Sequence, residues 1–301
     1  MEHAAALIRD GKLVAFPTET VYGLGANALD ATAVERIFSA KGRPRTSPLI
    51  VHVDSLAMAK RLAGNWPEQA ELLAARYWPG PLTLVVPKTA AIPDIVTAGL
   101  PTVGLRMPAH PLALALIRAA GVPIAAPSAN RFTEISPVSA AHVAEALADF
   151  VLDGGPSQVG IESTVLSLIN EPTLLRPGVI PLPEIEALIG PVRGVGEVSE
   201  AAHPSPGMHQ SHYRPHTPLY LLQPGCPPPA GRGRWLRIGL EMPSDARGYA
   251  ALLYETLHRL DSEGLDWIAV EPPPNAPEWA GVRDRLERAR CGKVGPGDSG
   301  R

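Results

Sequence analysis

The chain has 301 residues, a net charge of −3, 45% hydrophobic and 19% charged residues, and two cysteines, Cys226 and Cys291. This composition fits a globular protein of one large or two ordinary domains and excludes a disulfide framework or an all-cysteine zinc site. It also excludes an overall positive footprint for nucleic acid or acidic membranes.

The 34 prolines are about double the usual share of roughly 5% and predict many stiff loops. No apolar run approaches the ~20 residues of a membrane span. The opening MEHAAALIRDGKLVAF does not read as a signal peptide, so the expectation is a cytoplasmic protein.

In chain order, residues 4–10 predict a helix and 13–16 a strand. Asp30 caps a helix whose apolar positions Val34, Ile37 and Phe38 share a face. Strands are predicted at 48–53, 82–86, 102–106, 124–126 and 165–168, and helices at 66–77, 111–120 and 139–148. This alternation predicts an α/β domain with a mixed sheet over residues 1–190. Periodicity stops at 191–218, a stretch rich in Gly, Pro, Ser and His that reads as a linker. Beyond it, strands at 219–222 and 235–240, a helix at 249–260, a strand at 267–270 and a helix at 278–290 follow. That β-β-α-β-α order predicts a small doubly wound domain over 219–292, with a flexible tail at 293–301.

Several stretches can carry chemistry. In FPTETVYGLG, Thr18, Glu19, Thr20 and Tyr22 crowd polar groups before Gly23 and Gly25. Such a turn serves either a small ligand, which glycines let the backbone approach, or its own local hydrogen bonds. In KGRPR, Lys41 and Arg43 lie two apart, and an extended backbone points both to one side. They could converge on an anion such as a triphosphate, the guanidinium as a planar fork and the ammonium as a point charge. A solvated basic loop is the alternative. His52 sits on an apolar run, where a histidine is more often a core residue than a ligand. Ser128 and Asn130 end a short strand, where side chains face the crevice of an α/β fold. Glu162, Ser163 and Thr164 open a strand after a glycine-rich loop, and Arg176 precedes the rigid Pro177–Gly178 turn. His212, Tyr213 and Arg214 lie in the linker. The P-loop, G-x-S-x-G and H-E-x-x-H patterns are absent. The histidines of HQSHYRPH make a poor metal site, since ligands need preorganised geometry.

Taken in order, PTETVYGLG, KGRP followed by PLIVHV, VGLRMPAHP, PSAN, DGGPSQVGIESTV and LRPG resemble the YrdC-type threonylcarbamoyl-adenylate synthases over about residues 5–190. The PGMHQSHYRPHTPL linker and the region after it are similar to the longer members, which carry a Rossmann-like C-terminal domain. The resemblance implies a twisted mixed sheet with an open cavity. It implies a tetrad of Lys41, Arg43, Ser128 and Asn130 around the nucleotide. ATP contacts would come from Arg43, Ser47, Thr102, Ser128, Ser136 and Arg176, with Tyr213 reaching in from the linker as a lid. Thr20, His52, Arg106 and Ser163 would surround threonine. The implied reaction joins L-threonine, bicarbonate and ATP into threonylcarbamoyl-AMP and pyrophosphate, with Mg2+ on the triphosphate, no protein-ligated metal, and a downstream threonylcarbamoyl transferase. Ser47 departs from the family's usual Asn, Ser157 from a common Cys, and Arg131-Phe132-Thr133-Glu134 from a small Gly-containing turn. The competing expectation is a non-catalytic RNA-binding protein. The acidic balance and the lack of aromatic platforms between basic residues count against it.

Overall fold

The short apolar runs fold as strands and collect into one large sheet. The computed structural model describes residues 1–144, 146–194, 212–223 and 225–291. Most of the expected linker and the expected 293–301 tail lie outside the described residues. The strands are β1 (Val14–Phe16), β2 (Gly23–Asn27), β3 (Ile50–His52), β4 (Leu82–Pro87), β5 (Thr102–Arg106), β6 (Ile124–Ala125), β7 (Phe150–Val151), β8 (Thr164–Ser167) and β9 (Thr173–Arg176). They form a nine-stranded sheet in the order β7-β1-β2-β6-β3-β5-β4-β8-β9. It is mixed: β7–β1, β3–β5 and β4–β8 pair parallel and the remaining neighbours antiparallel.

Side chains alternate across a strand with a period of two, and here the two faces differ in chemistry. Val51, Leu84, Val86, Val103 and Leu105 enter the main apolar core. That core also holds buried side chains of α1 (Glu2–Arg9), α2 (Ala31–Lys41), α3 (Leu56–Leu62), α4 (Glu68–Tyr77), α5 (Pro111–Ala120) and α6 (Leu182–Ile189), such as Ile8, Ile37, Leu73 and Leu116. The intervening residues, Ile50 and His52 on β3 and Gly104 and Arg106 on β5, line cavities instead. Asp30 starts α2 by accepting from the backbone N–H of Thr32 at 2.8 Å and of Ala33 at 3.2 Å. Gly42, in the left-handed region at φ 62, stops it.

The structure departs from the predicted elements in two informative places. The stretch that read as a turn before Gly23 and Gly25 is a β1–β2 hairpin that takes both glycines into β2. Gly25 is a strand residue: a Cβ there would come within 2.8 Å of both the Phe16 ring and Ile124, so it is small to let Phe16 lie across the strand. Among the described residues of 139–148 there is only a short 3-10 turn, at Ala140–His142, and no α-helix. A ten-residue helix is marginal alone. Here the Pro137 and Val138 carbonyls instead accept from Tyr22 and Ser157, and His142 stacks on His258 at 3.9 Å.

The second sheet contains β10 (Leu219–Leu221), β11 (Gly233–Leu236) and β12 (Trp267–Val270), all parallel, in the order β10-β12-β11. The strand expected over 235–240 stops at Leu236, because Glu241 accepts from the Arg237 backbone N–H and side chain in a turn. Leu219, Leu236, Ile268 and Val270 pack with α7 (Ala246–Asp261) and α8 (Ala280–Ala289). The other face carries Leu222, Trp267 and Ala269 with Tyr220 and Trp235. Among the described residues both helices therefore cover one face, giving two layers rather than a doubly wound three. The reason lies in the partners of α7 and α8: their apolar cluster also takes in Val21, Ile135, Val138 and Ile161 of the larger unit. Among the described residues no helix is long and apolar enough to cross a membrane.

Candidate functional site

A cavity of ≈ 50 Å³ opens where the β1–β2 loop, the ends of β3, β5 and β6, and the segments around Glu162, Arg176 and Tyr213 meet. The β1–β2 loop is held by its own hydroxyls. Thr18 Oγ1 donates to the Val21 carbonyl at 2.6 Å and lies 2.8 Å from Thr20 Oγ1. Arg106, at the end of β5, donates to Thr20 Oγ1 at 2.9 Å and to Glu19 Oε1 at 2.8 Å. Glu19 Oε2 accepts from the Ala109 backbone N–H at 2.9 Å. The loop that read ambiguously as ligand site or plain turn is thus both a tight hydrogen-bonded turn and a cavity wall.

His52, two positions along from Ile50 on β3, lines the cavity beside Arg106. Burial first, and the Arg106 charge second, push its imidazole down to about 3, so it is neutral. Among the described residues its Nδ1 has no hydrogen-bond partner, and neither do His212 Nδ1 and Tyr213 Oη. An orphaned buried polar atom costs about 1–3 kcal/mol, and all three residues line this one cavity. Tyr213 is itself held at φ 62, a left-handed conformation that costs a non-glycine residue roughly 1–2 kcal/mol. Such a cluster of unmet polar groups and backbone strain marks a place built for a ligand.

Arg43 and Lys41 part company. Because α2 runs through Lys41 and turns at Gly42, the two do not sit on an extended backbone. Arg43 lines the cavity and donates to Ser47 Oγ at 2.6 Å and to the Pro48 carbonyl at 3.2 Å. Burial lowers its guanidinium to about 10. Lys41 turns to the 128–130 loop. Its Nζ donates to the Ser128 carbonyl at 2.6 Å and to the Asn130 carbonyl and side chain. Burial, then the Arg43 charge, push its ammonium well below the usual range. Asn130 Nδ2 in turn donates to the Glu134 carbonyl at 2.8 Å, fixing the unusual Arg131–Glu134 turn.

Of the sequence-predicted site residues, the cavity wall brings together Thr20, Arg43, His52, Arg106, Ser128, Arg176 and Tyr213. Others stand behind it. Ser163 Oγ accepts from Arg176 at 3.2 Å and lies 2.8 Å from Thr83 Oγ1. Ser136 Oγ donates to Glu162 Oε1 at 2.6 Å. Thr102 lines a separate narrow slot with Ile50, Thr83, Val85 and Gly104. Thr18, Glu162 and His212 also line the cavity; the sequence placed all three in stretches that can carry chemistry but assigned them no ligand. Among the described residues no group of three or more His, Cys, Asp or Glu could hold a metal.

Residues 6–178 match a family that groups Sua5, YciO and YrdC proteins and is described as "Telomere recombination"; residues 180–290 match "Threonylcarbamoyl-AMP synthase, C-terminal domain". The chain belongs to the Sua5/YciO/YrdC family. It is 43% identical to the threonylcarbamoyl-AMP synthase of Bacillus subtilis over 97% of this chain and 93% of that one. It is 53% identical to the enzyme so named from Pyrococcus abyssi over 73% of this chain and 67% of that one. The crystal structure of P. abyssi Sua5 complexed with L-threonine superposes with a TM-score of 0.89 at 42% identity, covering 96% of this chain and 93% of that one. In the second unit, Tyr254 of α7 and Arg285 of α8 stand behind the cavity lining, where both donate to Glu162.

Proposed function

We propose that this Sua5-family chain is an L-threonylcarbamoyladenylate synthase, converting L-threonine, bicarbonate and ATP into threonylcarbamoyl-AMP and pyrophosphate. The observation that carries the reading is one cavity wall holding three buried guanidiniums, Arg43, Arg106 and Arg176, beside the hydroxyls of Thr18, Thr20 and Ser128. Threonine carboxylate, bicarbonate and triphosphate are all anions, and a cationic, hydroxyl-lined wall suits them. The relatives' names favour this activity over RNA binding.

In this account threonine's deprotonated amine attacks the carbon of CO2 and loses a proton, or that of bicarbonate with loss of water, to give an N-carboxylate. One oxygen of that carboxylate attacks the α-phosphorus of ATP, the bond to the β-phosphate bridging oxygen breaks, and pyrophosphate leaves. The nucleophile already carries its charge, so the side chains need only position it and stabilise charge on the phosphates. Thr20, His52 and Arg106, with Ser163 behind them, form the threonine end. Arg43, Ser128 and Arg176 form the nucleotide end, with Ser47 orienting Arg43, Lys41 and Asn130 shaping the 128–130 loop, and Ser136 and Thr102 at the margins. Glu162, which lines the cavity, and Glu19 beside Arg106 are already engaged by arginines. Mg2+ would enter on the triphosphate. His212 and Tyr213 line the cavity from the linker, and as a lid they would exclude water from the unstable carbamate. The product is a mixed anhydride, to be passed to a tRNA threonylcarbamoyl transferase, and we place the reaction in the cytoplasm.

The direct check is product identity. Incubation with 14C-bicarbonate, threonine, ATP and Mg2+ should yield a labelled species whose mass contains AMP, threonine and one added carbonyl. Label appearing without threonine would contradict the assignment.

A further inference from the structure

Glu162 poses an electrostatic problem for any anion-binding reading, and α8 supplies the answer. Its carboxylate lines the same cavity as Arg43, Arg106 and Arg176, where a bare negative charge would oppose every substrate. Glu162 Oε2 accepts from Arg285 Nε at 2.8 Å and from the Tyr254 hydroxyl at 3.1 Å, and Oε1 accepts from Ser136. Arg285 and Tyr254 both belong to the C-terminal domain, on α8 and α7. Arg285 is only 1% exposed and reaches further into the larger unit. It donates to the Pro177 carbonyl at 2.7 Å and the Glu162 carbonyl at 3.2 Å, and pairs with Asp284 at 2.8 Å.

The helix is seated there closely. A Cβ on Gly281, one turn before Arg285, would come within 2.5 Å of the Gly178 carbonyl. Gly281 and Arg285 thus grip the Pro177–Gly178 turn that follows Arg176. The Arg285 guanidinium also lies 5.3 Å from the centre of the Tyr213 ring, supporting the residue that plugs the cavity. Burial alone would raise the Glu162 carboxyl, but Arg285, Arg176 and Ser136 carry it down to about 2, so the charge needing compensation is permanent.

We infer that Arg285 is a positioning residue: by pairing with Glu162 it lets the wall bind an anionic substrate, and so makes ATP binding depend on a docked C-terminal domain. The inference rests on the synthase reading above. It does not require Arg285 to touch substrate. A buried pair broken on one side leaves an uncompensated charge, here a carboxylate facing the incoming phosphates. Removing both charges should therefore restore much of what removing one destroys.

The experiment compares wild type, R285M, E162Q and the E162Q/R285M double variant in the full chain, measuring the Kd of ATP by calorimetry and KM and kcat by pyrophosphate release. R285M should weaken ATP binding about thirtyfold or more, mainly through Kd and KM rather than kcat, while melting cooperatively. The double variant should recover to within a few-fold of wild type. If R285M does not fold, E162Q alone decides: ATP binding kept or tightened supports the inference, and weakened binding overturns it. A double variant no better than R285M, or an R285M with unchanged Kd, also overturns it. A wild type that neither binds ATP nor releases pyrophosphate defeats the synthase reading itself, before any variant is compared.

Discussion

The cavity has two walls, each with a buried carboxylate locked to a buried arginine, and they are built differently. On the sheet wall, Arg106 of β5 meets Glu19 of the β1–β2 loop at 2.8 Å, both within the larger unit. On the other wall, which Glu162 lines, that carboxylate meets Arg285 of α8 at 2.8 Å across the two units. The first pair is fixed once the nine-stranded sheet forms. The second exists only when α8 has docked on the Pro177–Gly178 turn. One wall can hold its geometry alone, whereas the charge of the other depends on a second domain.

The largest expected effect falls on the sheet wall. Arg106→Met leaves Glu19 buried and unpaired, and should cost about 3–5 kcal/mol in equilibrium denaturation. Adding E19Q should recover part of it. A loss below 1 kcal/mol would erase the distinction between a wall that holds the fold and one that tunes charge. Next, Arg43→Ala should lower product formation by about 10²–10³-fold with a cooperative melt, since the Arg43 hydrogen bonds among the described residues, to Ser47 and Pro48, are local. Lys41→Met should divide its effect differently. By freeing the Ser128 and Asn130 carbonyls it should cost about 1–3 kcal/mol of stability and loosen the loop. Urea titration and activity, measured together, separate the two cations.

The smallest effect is graded in pH. His52 on the sheet wall and His212 on the other are both held neutral, at about 3, chiefly by burial. Their unfolded value is near 6.5. Below that pH the unfolded chain takes up protons that the native state refuses. Stability from these groups is therefore complete above about pH 6.5 and falls as pH drops toward 3. The slope is at most about 1.4 kcal/mol per pH unit for each histidine. Replacing His212 by Phe should lower the total slope by up to about 1.4 kcal/mol per pH unit in denaturation series between pH 6 and 4, where half-buried His258, held down to about 4, contributes as well, and an unaltered slope would show that His212 is not held neutral.

The sheet wall was largely legible in the sequence. Alternating apolar runs marked β3, β4, β5 and β8, Asp30 announced α2, and the ordered motifs named Thr20, Arg43, His52 and Arg106. Three features resisted for physical reasons. Gly23 and Gly25 read as a turn, because glycine that serves close packing by Phe16 looks the same as glycine that serves a bend. Residues 139–148 carry good helix propensity, which tertiary contacts at Pro137, Val138 and His142 override. The far wall was the least legible. Arg285 interrupts the buried stripe Val282, Leu286 and Ala289 of α8, and a charge inside an apolar helical face was the one local hint that it is buried and paired. Its partner lies 123 residues away, beyond any local pattern.

The central claim, that both walls enclose one adenylating reaction, is tested most directly by pyrophosphate release from ATP and Mg2+ with threonine and bicarbonate supplied or withheld. The account predicts release that requires both co-substrates and falls sharply when serine replaces threonine. Release indifferent to threonine, or no release in the complete mixture, would contradict it.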